Sequence, residues 1–222
     1  MKPDEAKRFK PQFDMSASVP EVKIKKVSRS AMKEKKVPFE YDSDSFYEVV
    51  MKRAQDGWSM TLQRRRRPKI FKKRSTDTII EPFKGNTEIF LAFVDGEEAG
   101  HLQIEHQRWN NSLRVWDIGV EWKYRRMGVG SALMGKCKER AQKLGARRII
   151  LETQTSNANA IDFYLSQGFE LVGMDLTNYT NEDVGRNEVR VEMAYHLRTG
   201  PTKSSNANGK QRSRHRESRA KR

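Results

Sequence analysis

The chain contains very little cysteine and histidine. Its 222 residues include a single cysteine, Cys137, which excludes a disulfide within the chain. Cys137 lies among apolar residues at helical spacing, which predicts a packed small side chain rather than a nucleophile. The four histidines show no zinc-ligand spacing with Cys137 or with one another: His101, His106, His196 and His215. The sequence therefore predicts a protein that uses no metal ion.

Long hydrophobic runs are also missing. No apolar stretch approaches the roughly 20 residues that a helix needs to cross a bilayer. The first residues, Met1 to Glu5, include no apolar segment of the kind found in secretory signals. We therefore expect no membrane association and a cytoplasmic location.

Positive charge is concentrated at the two ends of the chain. Residues 1–84 hold 22 Lys and Arg against 12 Asp and Glu, a net charge of +10. Residues 198–222 hold 9 against 1, a net charge of +8, whereas residues 85–197 hold 13 against 16, a net charge of −3. This distribution predicts a flexible segment at 1–19, one domain at 20–197 and a basic disordered tail at 198–222. Such a tail can make weak, sequence-independent contacts with nucleic acid or other anions.

A glycine-rich stretch between an apolar run and an amphipathic run carries the most information. Arg125 to Ser131 reads Arg-Arg-Met-Gly-Val-Gly-Ser, after the strand-like run Leu113–Val120 and before a helical pattern that ends near Gly145. Glycines at such a turn let backbone N–H groups and the positive end of the helix dipole approach an anion. The spacing fits neither the dinucleotide-binding nor the nucleotide-triphosphate fingerprint. A pyrophosphate is the ligand that this pattern favours, with an ordinary surface turn as the alternative.

A second pattern follows at a fixed distance. After the β-rich run Arg148–Gln154, residues 157–169 read as a helix closed by glycine. The two patterns together resemble those of the GNAT acyltransferases, which bind acetyl coenzyme A (acetyl-CoA). The first motif is met by Arg125, Gly128 and Gly130. The second is met by Asn157, Ala160, Tyr164, Gly168 and Phe169.

Further residues are similar to the streptothricin (nourseothricin) acetyltransferase branch of that family. They are Trp109-Asn110, Asp117-Ile118, Leu151-Glu152-Thr153 and the stretch Asp175 to Tyr179 after the second motif. The resemblance is clearest over residues 87–197. It implies acetyl-CoA as co-substrate and an amine on the β-lysine portion of streptothricins as the acceptor.

The resemblance also implies where acetyl-CoA binds. The pantetheine arm is expected along the backbone of Ile118 and Val120, and Asn157 is expected either to contact that arm or to cap the helix. The pyrophosphate is expected on the turn and its two arginines: Arg125, Arg126, Gly128, Val129, Gly130 and Ser131. Arg126 has the alternative of being a solvated surface charge.

Three residues are candidates for proton transfer. The resemblance places Tyr164 near the thioester sulfur, and a phenol can protonate a departing thiolate. Glu152 and Asp117 are carboxylates in β-rich runs, where charge is costly without a polar cavity or partner. Either could deprotonate the amine, and a structural salt bridge is the alternative for both. The resemblance also implies that Asp175 and Tyr179 line the acceptor side, without a chemical role.

The acceptor and the assembly stay open at this point. A basic loop at Arg64–Arg74 would repel a polycationic antibiotic if it lined the acceptor site. A protein lysine, a protein N-terminus or a polyamine are therefore alternative acceptors, and a non-enzymatic protein associated with nucleic acid is a remote alternative. A homodimer is possible.

The remaining patterns define an α+β protein. A strand is predicted within Pro20–Ser28, a helix from Ser43 or Asp44 to about Ala54, and a strand at Trp58–Gln63. Asp95-Gly96 predicts a hairpin. Short strands are predicted at Phe169–Met174 and Val189–Tyr195. The resemblance implies a mixed, mostly antiparallel central sheet flanked by helices on both faces.

Overall fold

The computed structural model describes residues 20–81 and 84–197. The predicted flexible segment 1–19 and the predicted basic tail 198–222 lie outside the described residues. The strands are β1 (Val22–Val27), β2 (Lys36–Ala54), β3 (Gly57–Thr78), β4 (Glu88–Val94), β5 (Glu97–Gln107), β6 (Ser112–Val120), β7 (Arg148–Gln154), β8 (Glu170–Asp175) and β9 (Arg190–His196). The α-helices are α1 (Val129–Lys143), α2 (Ala158–Ser166) and α3 (Asp183–Arg186).

The strands form two sheets. The main sheet has the order β1-β4-β5-β6-β7-β9-β8, and β2 and β3 form a separate two-stranded ribbon. In the main sheet only β6 and β7 are parallel, because α1 crosses over between them, and the other neighbours are antiparallel. The predicted α+β order with a mixed, mostly antiparallel sheet is confirmed.

The two longer helices pack into one hydrophobic cluster with the sheet. On α1, Leu133, Met134 and Cys137 are fully buried at helical spacing, and on α2 Ile161 and Tyr164 enter the same cluster. Gly145, at φ 62°, follows α1 as predicted. On the other face of β4, Ile89 packs with Val37 and Ile79, which lie at the open end of the ribbon where β2 begins and β3 has ended.

The predicted helix over residues 43–54 is wrong, because these residues belong to β2. Ser45 pairs with Arg66 and Ala54 pairs with Gly57, so the segment forms the outgoing strand of a long hairpin. Its β-branched Val49 and Val50 happen to fit helical spacing with Phe46, but the cross-strand partner decides the conformation. A partner strand is not visible in local periodicity.

The predicted basic loop Arg64–Arg74 is also wrong, because it lies within β3. The expected strand at Trp58–Gln63 is confirmed and continues through the basic run to Thr78. The register shifts there, so that residues 67–70 of β3 lie opposite Asp44 alone. Pro68 falls inside this irregular stretch, where a residue without an N–H is tolerated.

Candidate active site

The turn between β6 and α1 carries backbone N–H groups without acceptors. Arg126 and Gly128 both have positive φ, at 67° and 84°. Such left-handed residues turn successive amides toward one side, as in anion-binding nests. Among the residues that the structure describes, the N–H groups of positions 126–131 have no acceptor. The first turn of α1 adds the positive end of its dipole, so the turn fits a pyrophosphate.

The second glycine of the turn permits close packing. A Cβ on Gly130 would lie 3.4 Å from the Phe163 ring and 3.7 Å from Val120. The start of α1 therefore fits closely between α2 and the end of β6. Ser131 is exposed beside it, with its Oγ at 3.4 Å from the side-chain nitrogen of Gln167.

The two arginines of the turn have different environments. Arg125 donates to the carbonyl oxygens of Val120, at 3.1 Å, and Glu40, at 3.0 Å, and it stacks on Trp122. Burial lowers its pKa. Arg126 is exposed and makes no hydrogen bond or ion pair within the described part of the chain. Arg125 therefore fastens the turn to β2 and β6, and Arg126 is the guanidinium that a ligand can reach.

A gap opens in the sheet beside this turn. The parallel pairing of β6 and β7 covers three positions only and ends where Arg114 faces Ile150. Because the ladder ends there, the later backbone groups on this edge of β6 have no partner on β7. On its other edge, β6 is bulged at Trp116, between Val115 and Asp117.

The bulge changes which residues of β6 face the core. Val115 is in the hydrophobic cluster, and after the bulge Ile118 and Val120 pack against it instead. Asp117 therefore lies on the opposite face of the sheet, which we call the polar face. Its members on β5, β6, β7 and β9 include Glu105, Asp117, Glu152, Gln154 and Glu192.

Tyr164 is buried on α2 beside the gap. Its ring lies 5.4 Å from that of Phe163 and 5.9 Å from that of Phe169. Burial raises the pKa of the phenol, and the negative charge of Asp117 raises it further. The hydroxyl is therefore neutral at physiological pH and can donate a proton.

Asp117 is held by a buried histidine. Its Oδ2 lies 3.0 Å from Nε2 of His101, which is 4% exposed. Within the described residues, Asp117 has no Lys or Arg partner. The sequence reasoning did not select His101. The signal was present in Gly119, since a glycine within a central strand indicates close approach of another group.

Glu152 is part of an ion-pair network on the polar face. Its Oε2 lies 2.6 Å from Arg114 and 2.7 Å from Arg190. Both lone-pair directions that Glu152 Oε2 could offer to an amine are therefore directed at guanidinium groups of the protein. The two candidate carboxylates therefore have different partners: Asp117 contacts a histidine, and Glu152 contacts two arginines.

The ribbon and the β8–β9 connection border the polar face at the end of β7. Tyr41 donates to Gln154 Oε1 at 3.1 Å, and Lys73 donates to the same oxygen at 3.0 Å. Burial raises the pKa of Tyr179, and the neighbouring Gln154 side chain and Glu152 charge also act on its hydroxyl. Asp175 accepts a hydrogen bond from the backbone N–H of Thr177.

The remaining candidate, Asn157, caps α2. Its Oδ1 accepts a hydrogen bond from the N–H of Ala160 at 3.2 Å. The described residues contain no cluster of three His, Cys, Asp or Glu that could hold a metal ion. Over the same residues, no helix is long and apolar enough to cross a membrane.

Comparison with known proteins identifies the family to which this fold, with its sheet gap and donor-rich turn, belongs. Residues 45–169 match the model of the Acetyltransferase (GNAT) family, which is more than half of the chain. The chain belongs to the GNAT acetyltransferase family, whose members use acetyl-CoA as the acetyl donor.

Within this family the chain is similar to streptothricin acetyltransferases. It is 30% identical over 126 residues to streptothricin acetyltransferase A of Bacillus subtilis (strain 168), covering 56% of this chain and 72% of the relative. It is 35% identical over 86 residues to streptothricin acetyltransferase of Streptomyces lavendulae, covering 39% of this chain and 46% of the relative, which is about half its length. The crystal structure of nourseothricin acetyltransferase superposes with a TM-score of 0.62 at 28% identity, over 79% of this chain and 98% of that one. The resemblance inferred from the sequence is confirmed.

Proposed function

We propose that the protein transfers an acetyl group from acetyl-CoA directly to a primary amine, with the β-lysine amine of streptothricin-type antibiotics as the preferred acceptor. The observation that carries this proposal is the position of Asp117 and Tyr164. The buried phenol of Tyr164 lies within the electrostatic reach of Asp117, which has no Lys or Arg partner among the described residues. Both lie at the gap in the sheet, beside the turn whose N–H groups can bind an anion.

Acetyl-CoA supplies the activated acetyl group. The free N–H groups of positions 126–131 would hold its pyrophosphate, with Arg126 adding charge. The unpaired edge of β6, at Ile118 and Val120, would hold the pantetheine arm, and Asn157 lies at the same end of the gap. We assign Arg125 the role of fixing the turn in place.

Asp117 is the proton acceptor in this proposal. An ammonium group must lose a proton before the nitrogen can attack a carbonyl carbon. Asp117 has no guanidinium or ammonium partner in the described chain, so its oxygen is available, and the hydrogen bond from His101 orients it. Tyr164 Oη keeps its proton at neutral pH and can give it to a departing sulfur.

Glu152 has a different role. Because Arg114 and Arg190 both hold it, we assign it to positioning the polar face rather than to removing a proton. Breaking such a network by removing one partner leaves uncompensated charge.

The charges around the site suit a cationic acceptor. Asp117 and Glu105 are carboxylates of the polar face that no Lys or Arg neutralises within the described residues, and they would attract an ammonium group. Much of the basic run on the ribbon is already paired with acidic side chains: Arg64 with Asp162, Arg65 with Glu48, Lys73 with Glu188, and Arg74 with Glu40 and Asp42.

The experiment measures the release of free CoA from acetyl-CoA with streptothricin, with a polyamine and with a lysine-containing peptide that has a free N-terminus. We expect streptothricin to give the highest kcat/KM. Faster release with the polyamine or the peptide would retain the acetyltransferase and reassign its acceptor. No stimulation by any amine would refute the proposal.

A further inference from the structure

Arg67 is a half-buried arginine of the ribbon that forms no ion pair within the described residues. Arg67 lies in the irregular stretch of β3 that faces Asp44 alone. Its guanidinium is stacked by two rings, with Cζ at 4.7 Å from the centres of both Phe46 and Phe71. Stacking fixes the plane of the group and leaves its N–H donors unused.

Two of the three guanidinium nitrogens of Arg67 have no hydrogen-bond acceptor among the described residues. These two nitrogens, Nε and Nη2, are buried. The third nitrogen, Nη1, is not among the buried nitrogens without a partner. Burial lowers the pKa of Arg67, and Glu188 is the carboxylate whose charge opposes that shift. Glu188 is already bound by Lys73 at 2.9 Å and by Arg186 at 3.1 Å. Within the described residues no carboxylate contacts the Arg67 guanidinium, and Glu188 acts on it only at a distance. Nη1 is therefore the donor that a ligand oxygen can reach.

Arg67 borders the acceptor side of the active site. Its charge acts on Tyr41, whose hydroxyl hydrogen-bonds Gln154 at the end of β7. Gln154 lies two residues beyond Glu152 on the same face of the strand, and both residues influence the hydroxyl of Tyr179. A bulge that redirects one side chain beside an active site is a frequent arrangement in sheets.

On the basis of the proposed function, we propose that Arg67 binds an oxygen of the acceptor molecule, so that the substrate class is a primary amine that also carries a carboxylate or an amide carbonyl. Asp117 would take the ammonium end and Arg67 the oxygen end. A planar guanidinium with free donors suits both kinds of oxygen. A simple polyamine lacks such an oxygen and would be a poorer ligand.

The test is calorimetric binding to the full-length protein saturated with CoA. Three probes are compared: β-lysine, its carboxamide, and the diamine that remains when the carboxyl group is removed from β-lysine. We expect both oxygen-bearing probes to bind the wild-type protein about tenfold more tightly than the diamine, since a hydrogen bond to a charged group has this effect. Tighter binding of the acid or of the carboxamide identifies which oxygen is preferred.

Variants of Arg67 and Arg66 distinguish a specific contact of Arg67 from the overall positive charge of the ribbon. Arg67→Gln should abolish the preference and leave the diamine unchanged, and Arg67→Lys should keep part of it. Arg66→Gln is the matched control, because Arg66 is an exposed neighbour without a partner among the described residues. Equal affinity of the three probes for the wild-type protein, or an equal loss for all three in Arg67→Gln, would overturn the inference. An Arg67-dependent preference without any acetylation of an amine would support this site and refute the proposed function.

Discussion

Gly119 and His101 lie directly opposite each other on β6 and β5, and the glycine leaves the space that the imidazole occupies. A Cβ on residue 119 would lie 2.3 Å from His101 Cε1. The imidazole in turn holds Asp117, two residues before Gly119. The absence of a side chain at position 119 thus allows His101 to orient Asp117, the proposed proton acceptor.

Gly119→Ala is therefore expected to impair catalysis without touching the acetyl-CoA turn. The added methyl group displaces His101, and the loss of its hydrogen bond to Asp117 should lower kcat about tenfold or more, as expected for a hydrogen bond to a charged group. Steady-state kinetics with acetyl-CoA varied should show little change in its KM. A matching fall in kcat in His101→Ala supports this account, and an unchanged kcat in both variants contradicts it.

Tyr164→Phe should lower kcat by about 10²–10⁴, the usual range for losing a general acid. The ring and its packing remain, so a thermal melt should show a folded protein. Because burial raises the pKa of Tyr164, the phenol stays protonated well above neutral pH. The wild-type kcat should therefore show no alkaline decline from this residue below about pH 10, the ordinary value for tyrosine. A decline near neutrality that disappears in Tyr164→Phe would be inconsistent with the assignment.

The thiol of Cys137 is predicted to be unreactive in the folded protein. It is fully buried, and burial raises the pKa of its thiol to about 12 from 9.0. Alkylating reagents should modify it at pH 8 only after the protein is unfolded, as mass spectrometry can show. The thiol ionises in the unfolded chain first, so its contribution to the free energy of unfolding should decline as pH rises from 9.0 toward about 12. Cys137→Ala should keep its turnover, and trapping of an acetylated Cys137 would contradict direct transfer.

Gly128→Ala should weaken acetyl-CoA binding. Residue 128 has φ 84° and open space around it, so the penalty comes from the left-handed backbone and amounts to about 1–2 kcal/mol. Relaxation of the turn should raise the KM for acetyl-CoA while kcat changes little. Gly135→Ala is the control, since this α1 glycine also has open space but lies within the helix, where alanine stabilises by about 1 kcal/mol. Similar KM values in the two variants would argue against the turn as the pyrophosphate site.

The sequence predicted those elements whose local residue pattern matches the conformation that they adopt in the folded chain. Asp95-Gly96 specified a hairpin and Asn157 specified a helix start, and both are found in the structure. The ribbon was missed because its pairing, such as Ser45 with Arg66, joins residues whose local patterns resemble a helix and a charged loop.

The candidate site was predicted less completely than the fold. The resemblance to the GNAT motifs led to Tyr164 and, together with the glycine-rich pattern, to the turn, because each motif lies within one short stretch of sequence. The hydrogen bond from His101 to Asp117 depends on the register of two strands, and the pairing of Glu152 with Arg114 and Arg190 joins three strands. Side-chain partners across a sheet become visible only when the register is known.

The most direct test of the central claim uses acetyl-CoA with an isotope-labelled acetyl group and streptothricin as acceptor. Labelled acetyl on the β-lysine amine and released CoA are quantified by mass spectrometry. Direct transfer predicts one labelled amine for each CoA released and no label on the protein, with both products falling together in Asp117→Asn. CoA release without a labelled amine, or label retained on the protein, would contradict the account.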